Sequence, residues 1–319
     1  MTHPGATVAA VETPGADGFR HELLPYDDLT GYVAVAAAFV RDGLAAGESV
    51  LVAVPSPQLD ALTVLLLGEP GDLRFVDMST VGANPARIIE LWRTFLDTCT
   101  GPARGVGEPI HPSLDTEHLA ECARHERLVN LALVGRQFRL LCPCDATGLD
   151  DRVVAEARNS HPFTHGSKEA NDTYRSDALL TGLFDEALPA PPAGQESLAF
   201  GRHDLARLRR FVRAQAEAAG LDGAAAGDLV LAADEVATNT VVHGGADGTI
   251  RCWPERGALV CQLEGAGTFT DPMAGRFRPG PESPGGRGLW LANQLCELVQ
   301  LRNTPAGSVV RLRSRRSIG

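Results

Sequence analysis

The sequence predicts two domains of different class, an α/β domain with a mostly parallel sheet followed by an α+β sandwich. Three observations carry this expectation. Between residues 48 and 160, short apolar runs alternate with longer helical patterns, the rhythm of a parallel sheet covered by helices on both faces. After residue 200 the order changes, with two helical patterns first and then paired apolar runs around turns, which suits a sheet with one covered face. Between them LPAPPAGQES, residues 188–197, carries three prolines and little apolar content, so it reads as a semi-rigid linker. The expected organisation is a disordered N-terminus over 1–18, a first domain over 19–184, a linker over 185–199 and a second domain over 200–319.

Within the first domain, ESVLVAVP, LRFVDM, ARGVGEP and FRLLCPCD read as strands. SPQLDALTVLLL, NPARIIELWRTFLDTC, TEHLAECARHERLVNLAL and LDDRVVAEARNS read as the helices between and after them. Ligands in such folds bind at the carboxyl ends of strands, here Pro55, Asp77, Glu108 and Asp145. In the second domain, helices at 203–219 and 223–243 precede the strands TIRCWP and ALVCQLE around the turn ERG. A Pro/Gly-rich loop, a helix opened by GGRG, and the strands ELVQLR and SVVRLR around NTPAG complete it.

The formal net charge is −11, unevenly spread. From residue 198 onward 15 Arg and no Lys stand against 12 acidic residues, whereas the part before it has 14 basic and 28 acidic ones. The first domain therefore lacks the electrostatic footprint of a nucleic-acid binder, and no direct nucleic-acid contact is expected. Seven scattered cysteines without an export signal are expected to be reduced thiols. Apolar stretches fall well short of the roughly 20 residues of a membrane span, so a cytoplasmic protein without membrane contact is expected.

The strongest functional signal is DLVLAADEVATNTVVHGG. Four-residue steps place Glu235, Asn239 and His243 in one slowly drifting stripe, while Leu229, Ala233, Val236 and Thr240 cluster on another face that can pack on a sheet. GGRG at 285–288 then precedes an apolar helix. Glycines at a helix N-terminus let backbone N–H groups close on an anion.

These residues resemble the GHKL ATPase superfamily with its Bergerat-type sandwich, in its anti-sigma-factor serine kinase branch. DEVATNTVVHG matches the N-box, EGAG at 264–267 the first glycine box and GGRGLWLANQL the second. The resemblance implies an ATP-dependent protein serine kinase in which Asn239 holds Mg²⁺ against ATP and Glu235 is the catalytic base toward a partner's serine. His243, Glu264, Gly265, Gly267, Gly286, Arg287 and Gly288 would line the cofactor site, and residues 268–285 would form a mobile lid. One departure stands out: Gly265 occupies the position of the family's adenine-binding Asp, and only a one-residue slip makes Glu264 its substitute. The alternative is a nucleotide-blind binding module, a pseudokinase scaffold without catalysis.

Residues 19 to about 184 resemble the MEDS sensory domain, related to RecA/KaiC-like folds, through HELLPYDD, GLAAGESVLVAVP, NPARIIELWRTFLD, GEPIHP, RHERLVNLAL and LLCPCD. The resemblance implies sensing of a small molecule. The phosphate loop G-x-x-x-x-G-K-[ST] is missing, so this domain is not expected to hydrolyse nucleotides. His21, Tyr26, Glu108, His125, Glu126, Cys142 and Asp145 are the candidate ligand contacts. His118, Cys122 and His125 share a helix face, with Cys142 and Cys144 ending a strand. C-P-C is not the usual C-x-x-C zinc knuckle, and no structural metal is expected. The two resemblances together imply a regulator that grips a sigma factor and an anti-anti-sigma (STAS-type) protein, with homodimerisation a further expectation.

Overall fold

The computed structural model describes residues 18–176, 180–243, 247–280 and 286–315. Nearly all of the N-terminal stretch expected to be disordered lies outside them. The chain divides into two compact units, Met1–Val81 with Leu91–Leu179, and Gly82–Glu90 with Leu180–Gly319.

The first unit is built on a six-stranded sheet in the order β3-β2-β4-β5-β1-β6, with every pairing parallel. The strands are β1 (Phe19–Tyr26), β2 (Ser49–Val54), β3 (Leu73–Asp77), β4 (Ala103–Gly107), β5 (Phe138–Asp145) and β6 (Phe163–Thr164). Its helices are α1 (Leu29–Ala45), α2 (Ser56–Leu65), the short α3 (Met78–Val81), α4 (Ile88–Thr98), α5 (Thr116–Ala132) and α6 (Asp151–Ser160). Asp28, Asp115 and Asp150 start α1, α5 and α6 by accepting from the backbone N–H groups of Gly31, His118 and Arg152, caps of about 1 kcal/mol each.

Period-two alternation sorts the strands' side chains between two cores. Leu24 and Leu141 pack with Tyr32, Ala36, Val40 and Leu62 on the side of α1 and α2. Leu23 and Cys144 pack with Cys122, Val154 and Ala157 on the side of α5 and α6. Both sheet faces are thus covered, as the alternating pattern predicts. In β4, a Cβ on Gly107 would fall 2.7 Å from the ring of Trp92, so the bare backbone is what lets that buried indole of α4 lie on the sheet.

The eight predicted elements between 48 and 160 are present, with one adjustment of detail. The helix expected from residue 84 begins as a 3₁₀ turn, Pro85–Arg87, capped by Asn84, before α4 takes over. β1 and α1 were not legible as elements. FRHELLPY puts His21 and Glu22 inside an interior strand, where polar residues hide the apolar run that marks a buried strand.

The second unit is an antiparallel sheet of five strands in the order β10-β11-β9-β8-β7. Its strands are β7 (Glu196–Phe200), β8 (Gly248–Glu255), β9 (Ala258–Gly265), β10 (Leu298–Thr304) and β11 (Gly307–Arg315). α7 (Leu205–Ala218), α8 (Gly223–His243) and α9 (Arg287–Leu295) supply the helical layer. This α+β arrangement is consistent with a GHKL-type fold. β8 and β9 meet at a two-residue turn whose residues, Arg256 and Gly257, have φ of 48° and 79°, the pattern of a type I′ hairpin that suits the strand twist. The predicted linker overlaps the sheet: its final residues enter β7 and pair with β8. A strand of five residues that follows a proline-rich stretch carries too few alternating positions to be read as one.

Candidate functional site

Asp222 starts α8 by accepting from the N–H of Ala225 at 2.9 Å. From there Leu229, Ala233, Val236 and Ala237 are buried, which leaves Glu235 and Asn239 half-buried on an adjacent stripe. α9 starts beside that stripe. Gly286 precedes it with φ of 88°, a left-handed conformation, and no side chain caps the helix. Gly286 thus brings no side-chain cap to the first turn of α9, and a helix N-terminus opened by glycine in this way suits an anion.

Gly288, buried in the first turn of α9, closes the site. A Cβ on it would lie 2.9 Å from both Asn239 Nδ2 and Glu235 Oε2. The two sequence-distant boxes thus meet, with a carboxylate and a carboxamide facing an uncapped helix start. Chemically, this combination suits a metal-bound phosphate chain beside a proton acceptor. Arg287 is exposed and reaches the carbonyl of Gly280 at 3.5 Å. Asp234, next to Glu235 in the chain, is turned away and pairs with Arg209 at 3.0 Å. His243 ends α8, and its side chain lies outside the described residues.

The first glycine box is divided between the two faces of the sheet. Gly265, the last residue of β9, faces α8, where a Cβ would run into Cγ2 of Thr240. Glu264, one residue earlier, faces the other way. It pairs with Arg251 of β8 and accepts from Gln262 Nε2 at 2.7 Å. Those partners hold its carboxylate below the usual range, since the hydrogen bonds from Arg251 and Gln262 outweigh the upward push of burial. Glu264 is thus not brought beside Asn239, and the one-residue slip expected to make it an adenine acceptor would have to reverse strand alternation. Gly267 follows in the loop after β9.

That loop is anchored at its start by Asn303 of β10, whose amide bonds both backbone groups of Phe269, at 2.8 and 2.9 Å. Asn293 of α9 reaches the carbonyl of Gly275 at 3.0 Å. Residues 281–285 of the expected lid lie outside the described residues.

In the first unit, the sensory candidates separate into two groups. Tyr26, Glu108 and Asp145 stand at the carboxyl ends of β1, β4 and β5, where ligands of such sheets are expected. The Tyr26 hydroxyl donates to Glu108 Oε1 at 2.7 Å, while Oε2 of the buried Glu108 has no hydrogen-bond partner. Burial pushes the Glu108 carboxyl up to about 8, aided by the charge of Asp145 and opposed by the Tyr26 hydrogen bond. Asp145 itself accepts from the N–H groups of Thr147 and Gly148, at 3.1 and 2.7 Å, and Asp77 accepts from Ser79 N at 2.8 Å. These two acids close turns.

His21, Glu126 and Cys142 form the second group, on the α5 and α6 side of the sheet, together with His161. Sequence reading missed His161 because it lies just past α6, far along the chain from its partners. The HP step in RNSHPF was the only local signal, marking a helix end. His125 is buried on α5 outside this group. His118 is hydrogen-bonded to Asp115 at 2.7 Å and Cys122 to the Pro109 carbonyl at 3.2 Å, so the helix-face trio does not converge with Cys142.

Residues 20–162 match the family model for MEDS, the methanogen/methylotroph DcmR sensory domain. Residues 201–314 match that for a histidine kinase-like ATPase domain. No curated protein matches the chain.

Proposed function

From a chain that carries a MEDS sensory domain followed by a histidine kinase-like ATPase domain, we propose a regulator of transcription that works by partner switching. The pairing of a sensory domain with an ATPase-like domain fits a regulatory role. In this reading the sensory domain responds to a small molecule, and the ATPase-like domain grips a sigma factor or an anti-anti-sigma protein and phosphorylates a serine on the latter. The observation that supports it best is the close approach of Gly288 to Glu235 and Asn239.

Asn239 offers its carboxamide oxygen to Mg²⁺, and the N–H groups at the start of α9 receive the phosphates. Bound Mg·ATP supplies the transferable phosphoryl group and neutralises its charge. Glu235 accepts the proton of the partner's serine hydroxyl. Titration of the full chain with Mg·ATP tests this: binding tighter than about 100 µM, or about −5.5 kcal/mol, that disappears in Asn239→Ala supports it. No binding at millimolar ATP removes the kinase reading.

A second reading is favoured by one specific observation. With Gly265 packed on Thr240 and Glu264 paired on the opposite face, no carboxylate from this box stands at the adenine position. A nucleotide-blind module that uses the same surface to hold proteins follows from that arrangement. Retained partner binding in Asn239→Ala, with no ATP binding in the parent protein, would select it.

A further inference from the structure

Four chemically matched side chains converge inside the first unit. His21 Nε2 lies 3.1 Å from Glu126 Oε2 and 3.2 Å from Cys142 Sγ. His161 Nε2 lies 3.2 Å from the same Glu126 oxygen. The four donor atoms all fall within 4.8 Å of one another, and none of the four residues is more than 4% exposed. The His21 and His161 rings are 3.9 Å apart between centroids, which leaves no room for an organic ligand among them.

Second contacts determine what each ring presents. His21 Nδ1 is 3.0 Å from Asn130 Oδ1. The Asn130 amide nitrogen donates to the carbonyls of Glu126 and Ser160, at 2.9 and 2.8 Å, so its oxygen is the atom turned to His21. His161 Nδ1 faces the carbonyl of Ala157 at 2.6 Å. Both partners are oxygen acceptors, so each imidazole donates through Nδ1–H, and in its neutral form each points its Nε2 lone pair inward. Two lone pairs and a carboxylate oxygen then face one another in a dry interior. Accordingly, Glu126 Oε2 and His161 Nε2 have no hydrogen-bond partner despite their proximity. The Cys142 thiol, 3.2 Å from His21 Nε2, is the one donor offered to these buried acceptors, an under-satisfied arrangement that is costly, and a cation at their centre resolves the conflict.

We propose that His21, Glu126, Cys142 and His161 bind one divalent transition-metal ion, zinc foremost, as a closed structural site of the sensory domain. Two imidazoles, a thiolate and a carboxylate form a donor set of the borderline kind zinc takes. Zinc bond lengths of about 2.0–2.3 Å imply tetrahedral edges of roughly 3.3–3.7 Å, so on loading the 3.1–3.2 Å approaches open slightly while the wider separations, within 4.8 Å, close onto the ion. Thiolate and carboxylate together balance the charge of the ion, so the filled site is neutral where burial makes net charge expensive. Loading releases the thiol proton of Cys142 to solvent. Four protein donors leave no open position, which is the pattern of a structural rather than a catalytic ion. The ion would bind β1 and β5 to α5 and the end of α6, although sequence reading expected no structural metal.

Untagged full-length protein is purified and its metal content measured, then cells are grown with Co²⁺ in place of zinc. About one equivalent of zinc per chain is expected. The cobalt form should show tetrahedral bands in the visible and a thiolate-to-cobalt charge-transfer band in the near ultraviolet. In Cys142→Ser the charge-transfer band should vanish while the circular dichroism is kept. Folded parent protein with no stoichiometric metal and no cobalt bands overturns the proposal and leaves the cluster proton-linked. A charge-transfer band that survives in Cys142→Ser overturns this ligand set. Should that variant fail to fold, the metal content and cobalt spectrum of the parent protein still decide.

Discussion

Gly288 lies so close to Asn239 that a Cβ on it would stand 2.9 Å from the Asn239 side-chain nitrogen. This contact joins a helix of the N-box to the helix opened by the glycine-rich segment. It makes the absence of a side chain at residue 288 a condition for the arrangement of Glu235 and Asn239.

Gly288→Ala should therefore act on binding more than on folding. The atoms a methyl group would meet are mainly the ends of two flexible side chains, Asn239 Nδ2 and Glu235 Oε2, which can withdraw at small cost. Stability is expected to fall by less than about 1 kcal/mol, while Mg·ATP affinity falls by tenfold or more, about 1.4 kcal/mol. Chemical denaturation and nucleotide titration of the same preparation would read both; unchanged affinity would count against the site.

Gly265→Asp restores the family's acid in sequence but not in space. The new Cβ runs into Thr240 Cγ2, and Thr240 is held by its hydroxyl bond to the Val236 carbonyl at 3.0 Å. A stiff β-branched neighbour cannot turn aside, so a loss of about 1–3 kcal/mol is expected. The double variant Gly265→Asp/Thr240→Ala should recover most of that loss and bind ATP more tightly than the parent. Equal melting temperatures for the single and double variants would disprove the clash.

Glu264→Gln should leave Mg·ATP affinity within about twofold, or about 0.4 kcal/mol, because the carboxylate belongs to the Arg251 and Gln262 cluster on the other side of the sheet. Its effect on stability should stay below about 1 kcal/mol, as for other partly exposed pairs. A large drop in affinity would mean that Glu264 enters the nucleotide site after all.

Glu108 predicts a pH dependence with a definite sign. Its carboxyl is raised from 4.5 to about 8 in the folded protein, so the native state holds a proton that the unfolded chain releases. Stability from this group is complete below pH 4.5 and declines as pH rises, by up to about 1.4 kcal/mol per pH unit, until it levels above about 8. In Glu108→Gln this decline is absent. Melting temperatures of the two proteins across that window should diverge as pH rises, the parent falling below the variant; parallel pH profiles would show that Glu108 does not carry the proton.

Legibility in the sequence followed the scale of the signal. Helical periodicity from Leu229 to Thr240 and the glycines around Arg287 were local patterns, and the structure brings them together at Gly288. The division of Glu264 from Gly265 was also implicit in strand alternation, but it needed the strand's inward face to be known. β1 was harder, because His21 and Glu22 interrupt its apolar pattern and their polar partners come from other elements. His161 carried almost no local signal of its own.

The sequence by itself determined the two-domain plan, the parallel and antiparallel classes, and the residues Glu235, Asn239 and Gly288, because these rest on periodicity, turn chemistry and backbone geometry over short spans. Only the tertiary structure decided which way Glu264 faces, that Glu108 sits buried with a free carboxyl oxygen, and that His21, Glu126, Cys142 and His161 share one dry point. Those facts depend on strand order and on the register that sets Leu23 of β1 opposite Cys142 of β5. Such long-range pairings leave no periodic trace along the chain.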